Sequence, residues 1–102
     1  MLSDGREKQD ITSISNALDV IRALNPVRYH WKYDPSGAYE YGLIAQEYVT
    51  VFPDFTMNTD NGTGEIGPGG PWEINDSPLM PYVIAAIKQL DAQVQALASQ
   101  IP

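Results

Sequence analysis

Ser3 and Lys8 stand five residues apart near the start of the chain, in the run Ser-Asp-Gly-Arg-Glu-Lys. A neutral lysine amine can take the proton of a nearby serine hydroxyl and turn that weak nucleophile into an effective one. The Ser3 hydroxyl is also only a few bonds from the Leu2 carbonyl carbon, so proximity is built in once the backbone is held bent. The chemistry this spacing offers is hydrolysis of the chain's own Leu2-Ser3 bond. A lysine acts as base only where desolvation or a neighbouring cation brings its pKa down from roughly 10. Arg6 would supply a cation, whereas Asp4 and Glu7 would hold the proton on. An oxyanion donor is needed too, from backbone N–H groups or from a side chain such as His30 or Gln46. On an alternating strand between Tyr29 and Trp31, His30 is more simply a structural hydrogen-bonder. By itself a Ser-x-x-x-x-Lys spacing is common, and a solvated, charged segment is its simplest explanation.

The elements that must position these residues follow from periodicity. Ile11, Ile14, Leu18, Ile21 and Leu24 recur at helical spacing, with Ser13 or Ser15 as N-cap and Asn25-Pro26 as stop, which predicts a helix over 13–24. After Pro26 the period becomes two: Val27, Tyr29, Trp31 and Tyr33 share one strand face, and Arg28, His30 and Lys32 the other. Asp34-Pro35-Ser36-Gly37 is a turn signal, after which Tyr39, Tyr41 and Leu43 resume the alternation, giving a β-hairpin with an aromatic face. The basic stripe of Arg28, His30 and Lys32 could pair with acids of another chain or be solvated. Residues 44–52 read as a short helix ended by Pro53.

From Pro53 to Pro78 the chain turns rich in Gly, Pro, Asn, Asp and Thr, including Asn61-Gly62 and Gly67-Pro68-Gly69-Gly70-Pro71. Two explanations stand level: a flexible surface loop, or a projecting arm that sets Trp72, Ile66, Phe55 and Ile74 against another chain. Met80, Val83, Ile87, Leu90, Val94, Leu97 and Ile101 then alternate threes and fours, a heptad seam of about three repeats. A helix this short is marginal alone in water. Its narrow stripe suits packing on copies of itself; folding back on its own domain is the simpler alternative.

Composition narrows the function. The 102 residues, 43% hydrophobic, make one domain with a small core that oligomerisation would help. A net charge of −7 disfavours a grip on nucleic acid or anionic membrane. With no cysteine and one histidine, neither disulfides nor a metal site is expected, and nothing in the chain asks for a cofactor. No apolar run approaches the roughly 20 residues that cross a bilayer, and the first residues are not those of a signal peptide.

Taken together, Ser3 to Ile11, the stretch 16–31, Gly42-Leu43-Ile44-Ala45-Gln46-Glu47, and Ser77-Pro78-Leu79-Met80-Pro81 leading into Ala85-Ala86-Ile87-Lys88-Gln89-Leu90 resemble the intramolecular chaperone auto-processing domain of phage tailspikes, endosialidases and tail fibres. The family pattern Ser-Asp-x-Arg-x-Lys-x-Asp-Ile is matched by Ser3, Asp4, Arg6, Lys8, Asp10 and Ile11; Glu7 departs from it, standing where an apolar residue is usual. The resemblance implies that Ser3 is the nucleophile, Lys8 its base and Leu2-Ser3 the scissile bond. It implies an α+β domain at 3–78, with a helix, an aromatic hairpin and a protruding loop or arm. A C-terminal helix at 79–102 would form a trimeric coiled coil, and residues 1–2 would be an upstream remnant or a start. The partners implied are two further copies and an upstream fibre or tailspike segment of the same polypeptide as client. The place implied is the host cytoplasm during virion assembly, with the released domain absent from the mature virion. The alternatives are a trimerisation module that does not cut, or a receptor-binding tip that uses exposed Tyr and Trp on sugar.

Overall fold

The computed structural model describes residues 1–58, 66 and 70–101. A 3-10 turn, Gly5–Glu7, precedes helix α1 (Ala17–Arg22), strands β1 (Val27–Tyr29) and β2 (Glu40–Gly42), and helix α2 (Ala45–Tyr48). A second 3-10 turn, Pro53–Phe55, leads into strands β3 (Thr56–Met57) and β4 (Glu73–Ile74), and helix α3 (Leu79–Ala98) closes the chain. The fold is thus a small mix of helices and two antiparallel two-stranded sheets, β1-β2 and β3-β4, with a long C-terminal helix.

The core is small. Ala17, Tyr48, Phe52 and Ala86 are its buried apolar residues among those described. Helices α1 and α3 pack against each other, and each contributes a small buried residue, Ala17 and Ala86. Phe52 is the aromatic hub, with Tyr48, Phe55 and Tyr82 ring centroids 5.2, 6.3 and 5.1 Å away. Tyr48 is 1% exposed and donates its hydroxyl proton to the Asn75 carbonyl at 2.9 Å, tying α2 to the stretch after β4.

Three sequence expectations need correction. The helix predicted over 13–24 begins only at Ala17, and neither Ser13 nor Ser15 caps it. Asn16 is the N-cap and makes no side-chain hydrogen bond to the helix; the Leu18 N–H is instead taken by the side-chain oxygen of Gln89 from α3 at 2.9 Å. The first strand stops at Tyr29 instead of running to Tyr33. Two successive turns bend the chain there, Asp34 N–H to Trp31 C=O at 3.0 Å and Gly37 N–H to Asp34 C=O at 3.2 Å. At Gly37 a Cβ would meet the Asp34 carboxylate, which would have to swing aside to admit it.

The third correction concerns the aromatic face. Register pairs Val27 with Gly42, Arg28 with Tyr41 and Tyr29 with Glu40, and directly opposed residues share a face. Tyr41 therefore lies on the Arg28 side, away from Tyr29. Tyr39 joins that side as well: the Arg28 guanidinium sits 4.2 Å above its ring, and the His30 ring is 4.0 Å away. Trp31 follows Tyr29 edge-on at 5.0 Å and stacks on Tyr33 at 5.7 Å.

The Pro53–Pro78 excursion is anchored by a hairpin base. Thr56 pairs with Ile74 and Met57 with Glu73, and Asn75 N–H reaches Phe55 C=O at 2.8 Å. Asn61-Gly62 and Gly67-Pro68-Gly69 lie outside the described residues. Trp72 is half-buried, with its indole N–H buried and unpartnered among the described residues. Pro53 opens a 3-10 turn, where its missing N–H costs nothing.

The chain exposes 8465 Å², where a compact monomer of its mass would expose about 5,700 Å². Its radius of gyration, 18.3 Å, likewise exceeds the roughly 13 Å of a compact domain this long. Much of the excess is apolar. Met80, Ile87, Leu90, Val94 and Leu97 of the heptad seam, and Ile101 beyond the helix end, are each at least 48% exposed, and only Val83 is half-covered. Beyond Gln89 the residues of α3 are all exposed, so its last turns stand clear of the domain. An open apolar groove of about 720 Å³, lined by Ile21, Leu24, Val27, Leu43, Leu79 and Val83, runs beside the start of that seam.

Candidate functional site

Ser3 and Lys8, the pair singled out for chemistry, meet at the front of the chain. The 3-10 turn is held by Glu7 N–H to Asp4 C=O and Lys8 N–H to Gly5 C=O, each at 3.1 Å. Asp4 is its N-cap, accepting Arg6 N–H at 3.0 Å on Oδ1. The Arg6 guanidinium folds back onto the same carboxylate, Nη2 to Oδ2 at 2.7 Å and Nε to both oxygens at 3.1 and 3.2 Å. A tight turn advances only about 2 Å per residue, so a lysine stem leaving its end reaches back over its start. Lys8 Nζ lies 2.7 Å from Ser3 Oγ and donates a hydrogen bond to it. The heavy-atom geometry serves either direction: a neutral amine at the same distance would accept the Ser3 O–H instead.

The electrostatics of the turn centre on one ion pair. The Arg6 side chain first, and its backbone N–H second, hold the Asp4 carboxyl below the usual carboxylate range. The same carboxylate raises the Arg6 guanidinium above its already high value. Arg6 thus faces Asp4, not Lys8, and the cation expected to act on the lysine is spent on its neighbour. Residues 1–10 are all exposed. Asp10 takes a φ of 54°, a left-handed conformation that Asp tolerates better than most, and it redirects the chain between the turn and α1.

His30 and Gln46 stand elsewhere. His30 is held on the hairpin against Tyr39, and Gln46 is on the exposed side of α2. Among the described residues no hydrogen bond joins either of them to Ser3 or Lys8.

One residue that sequence reasoning passed over is Gln89. Its Oε1 accepts Leu18 N–H at 2.9 Å, and its Nε2 donates to the Ser15 carbonyl at 2.9 Å. The only sign in the sequence is a glutamine one turn after the small Ala86, on the helix face that meets α1.

No curated protein matches the chain significantly. The family profile described as chaperone of endosialidase matches residues 3–57, opening on Ser3 and ending at the tip of β3, so that α3 lies outside the match. That stretch, more than half of the chain, holds the Ser3–Lys8 pair, α1, the β1-β2 hairpin and α2, and by it the chain belongs to the chaperone-of-endosialidase peptidase family.

Proposed function

We propose that this chain is an intramolecular chaperone that gathers three copies of an upstream fibre segment and then releases itself by cutting its own Leu2-Ser3 bond. Family membership supports the chaperone role. The observation that carries the cut is the 2.7 Å approach of Lys8 Nζ to Ser3 Oγ at the residue where the family match begins. Lys8, once neutral, takes the Ser3 hydroxyl proton as Oγ attacks the Leu2 carbonyl carbon. Backbone N–H groups stabilise the oxyanion. The Leu2–Ser3 C–N bond breaks as its nitrogen gains the proton, leaving Leu2 as an ester on Ser3. Water then hydrolyses the ester, giving a Leu2 carboxylate and a free Ser3 with its hydroxyl and amino group restored.

Assembly fits the exposed surface. The seam from Met80 to Ile101 would pair with its copies as a trimeric coiled coil, covering side chains that a lone chain leaves in water. Intertwined β-rich fibres fold slowly, because distant pairings must form before they are rewarded. A trimeric seed raises the effective concentration of the three strands and fixes their register. Its removal afterwards leaves the fibre behind a high unfolding barrier. The site would be completed by assembly too, since residues 1–10 are all exposed in the lone chain and neighbouring copies would supply the dryness a base needs. This work would take place in the host cytoplasm, and the released domain would be absent from the finished virion.

The test is a chain carrying its natural preceding segment. Two fragments are expected, the C-terminal one beginning at Ser3, while Ser3→Ala stays whole. Cleavage of Ser3→Ala at the wild-type rate would remove the serine from the mechanism. A second reading is favoured by one observation, the exposed Trp31–Tyr33 stack: a receptor-binding tip that lays a sugar ring on those aromatics. It predicts that Trp31→Ala abolishes glycan binding without touching the fragments.

A further inference from the structure

We propose that Gln89 is a positioning residue for the cut: its side-chain amide fixes how the segment bearing Ser3 and Lys8 leaves the seam helix. The inference rests on the self-cleavage reading above. Gln89 makes two hydrogen bonds across 71 and 74 residues, to Leu18 N–H and to Ser15 C=O, both at 2.9 Å. These are the only side-chain hydrogen bonds between α3 and the chain upstream of β1 among the described residues. They fall on either side of Asn16, which caps α1 without using its own side chain. A helix N-terminus carries N–H groups with no partner inside the helix. Here one of them is satisfied by a residue of another helix, and the same amide pins the carbonyl just before the cap. An amide that reads both sides of the cap sets the angle at which the chain enters α1.

That angle governs the dyad. Upstream of Ser15, Ser13 and Ile14 run beside Pro81, Ala85 and Lys88 of α3, and no residue before Ile14 is even half-buried. Between Lys8 and this anchor the only strong bend is at Asp10. Gln89 also lies between Ile87 and Leu90, two residues of the exposed seam. When copies associate along that seam, the amide carries the geometry of the assembled helix to the segment that must be placed for cutting. Gln89 touches none of the reacting atoms; it acts through the backbone of residues 15–18.

The experiment compares wild type, Gln89→Met and Gln89→Glu in the chain with its preceding segment. Methionine keeps the length and loses both hydrogen bonds; glutamate keeps the acceptor for Leu18 N–H and loses the donor to Ser15 C=O. Three quantities are measured: oligomer mass by light scattering, cleavage rate against pH, and hydrogen exchange at the Leu18 amide. Gln89→Met is expected to assemble as wild type does and to cut roughly tenfold to a hundredfold more slowly, the scale of loss for a displaced reacting group. Its pH profile should keep the wild-type midpoint, because Lys8 remains the base, and its Leu18 amide should exchange faster. Gln89→Glu should fall between the two in rate and restore Leu18 protection. Wild-type cleavage by an assembled Gln89→Met overturns the proposal. So does a rate loss that merely follows loss of assembly, which would make Gln89 a packing residue. If wild type does not cut, the self-cleavage reading fails, and unchanged Leu18 exchange in Gln89→Met would refute the clamp separately.

Discussion

At the scale of single residues, the turn that carries Ser3 and Lys8 is stabilised by charge and hydrogen bonds alone. Asp4 does two jobs there, capping Arg6 N–H and receiving the guanidinium fork. Replacing it by Asn keeps one acceptor and removes the charge, so the turn should loosen and cleavage should slow a few-fold with the oligomer unchanged, checked by fragment yield against time. The Asp4 carboxyl is held below its ordinary value of 3.8, so its contribution to the turn is complete above that value. It is lost only as pH falls through the lower folded-state value. Asp4 therefore cannot cause any change in cleavage near neutral pH. A rate that rises with pH there would have to come from a group other than Asp4. The closeness of Ser3 and Lys8 was legible only because the surrounding pattern matches a family, since their spacing by itself is common. Gln89 was not, because its hydrogen bonds join positions 71 and 74 residues apart, and no local pattern encodes them. His30 and Gln46 have suitable chemistry in the sequence, but nothing in their local pattern says how far the fold holds them from Ser3.

At the scale of elements, the long periodic segments were readable and the short ones were only partly so. The helix α3 follows from its uninterrupted threes and fours, with Ser77-Pro78 leading in. The helix α1 was expected four residues too early, since Ile11 and Ile14 continue its apolar spacing although neither is buried. The face of Tyr39 and Tyr41 was unreadable because the number of residues absorbed by two turns decides it, and a one-residue slip flips every side chain. Packing of α2 offers a stability test. Tyr48→Ala should cost about 3–5 kcal/mol by emptying a buried aromatic site, and Tyr48→Phe about 1 kcal/mol by removing the hydroxyl that bonds Asn75 C=O. Denaturant titration measures both. Burial first and the Asp76 charge second raise the Tyr48 phenol above its ordinary 10.0. A raised value contributes stability that is complete below the unfolded value and is lost as pH rises through the folded one. Wild type should therefore weaken above about pH 10, and Tyr48→Phe should lack that component. In the seam, Leu90→Asp would set like charges together at the axis. Light scattering should then report monomers; a persistent trimer would locate the assembly surface elsewhere.

At the scale of the whole molecule, a small core and a long uncovered helix are the features on which the proposed assembly rests. The family match ends before α3 begins, so the segment bearing Ser3 and Lys8 and the exposed seam are separate in sequence, while α1 packs on α3 between them and Gln89 bonds across the two. On the proposed reading, cleavage would report completed assembly. Leu90→Asp should lose cleavage together with the trimer, although Leu90 is far in sequence from Ser3. If the monomeric variant cut as fast as wild type, assembly would not be what readies the site. The most direct measurement is the mass of the products from wild type, Ser3→Ala and Lys8→Arg, each carrying the same preceding segment. Wild type should yield a fragment whose first residue is Ser3, without added protease or metal. Both variants should remain whole, the second because a guanidinium stays protonated and cannot serve as base. A fragment beginning at Ser3 from either variant at the wild-type rate would contradict the Ser3–Lys8 mechanism.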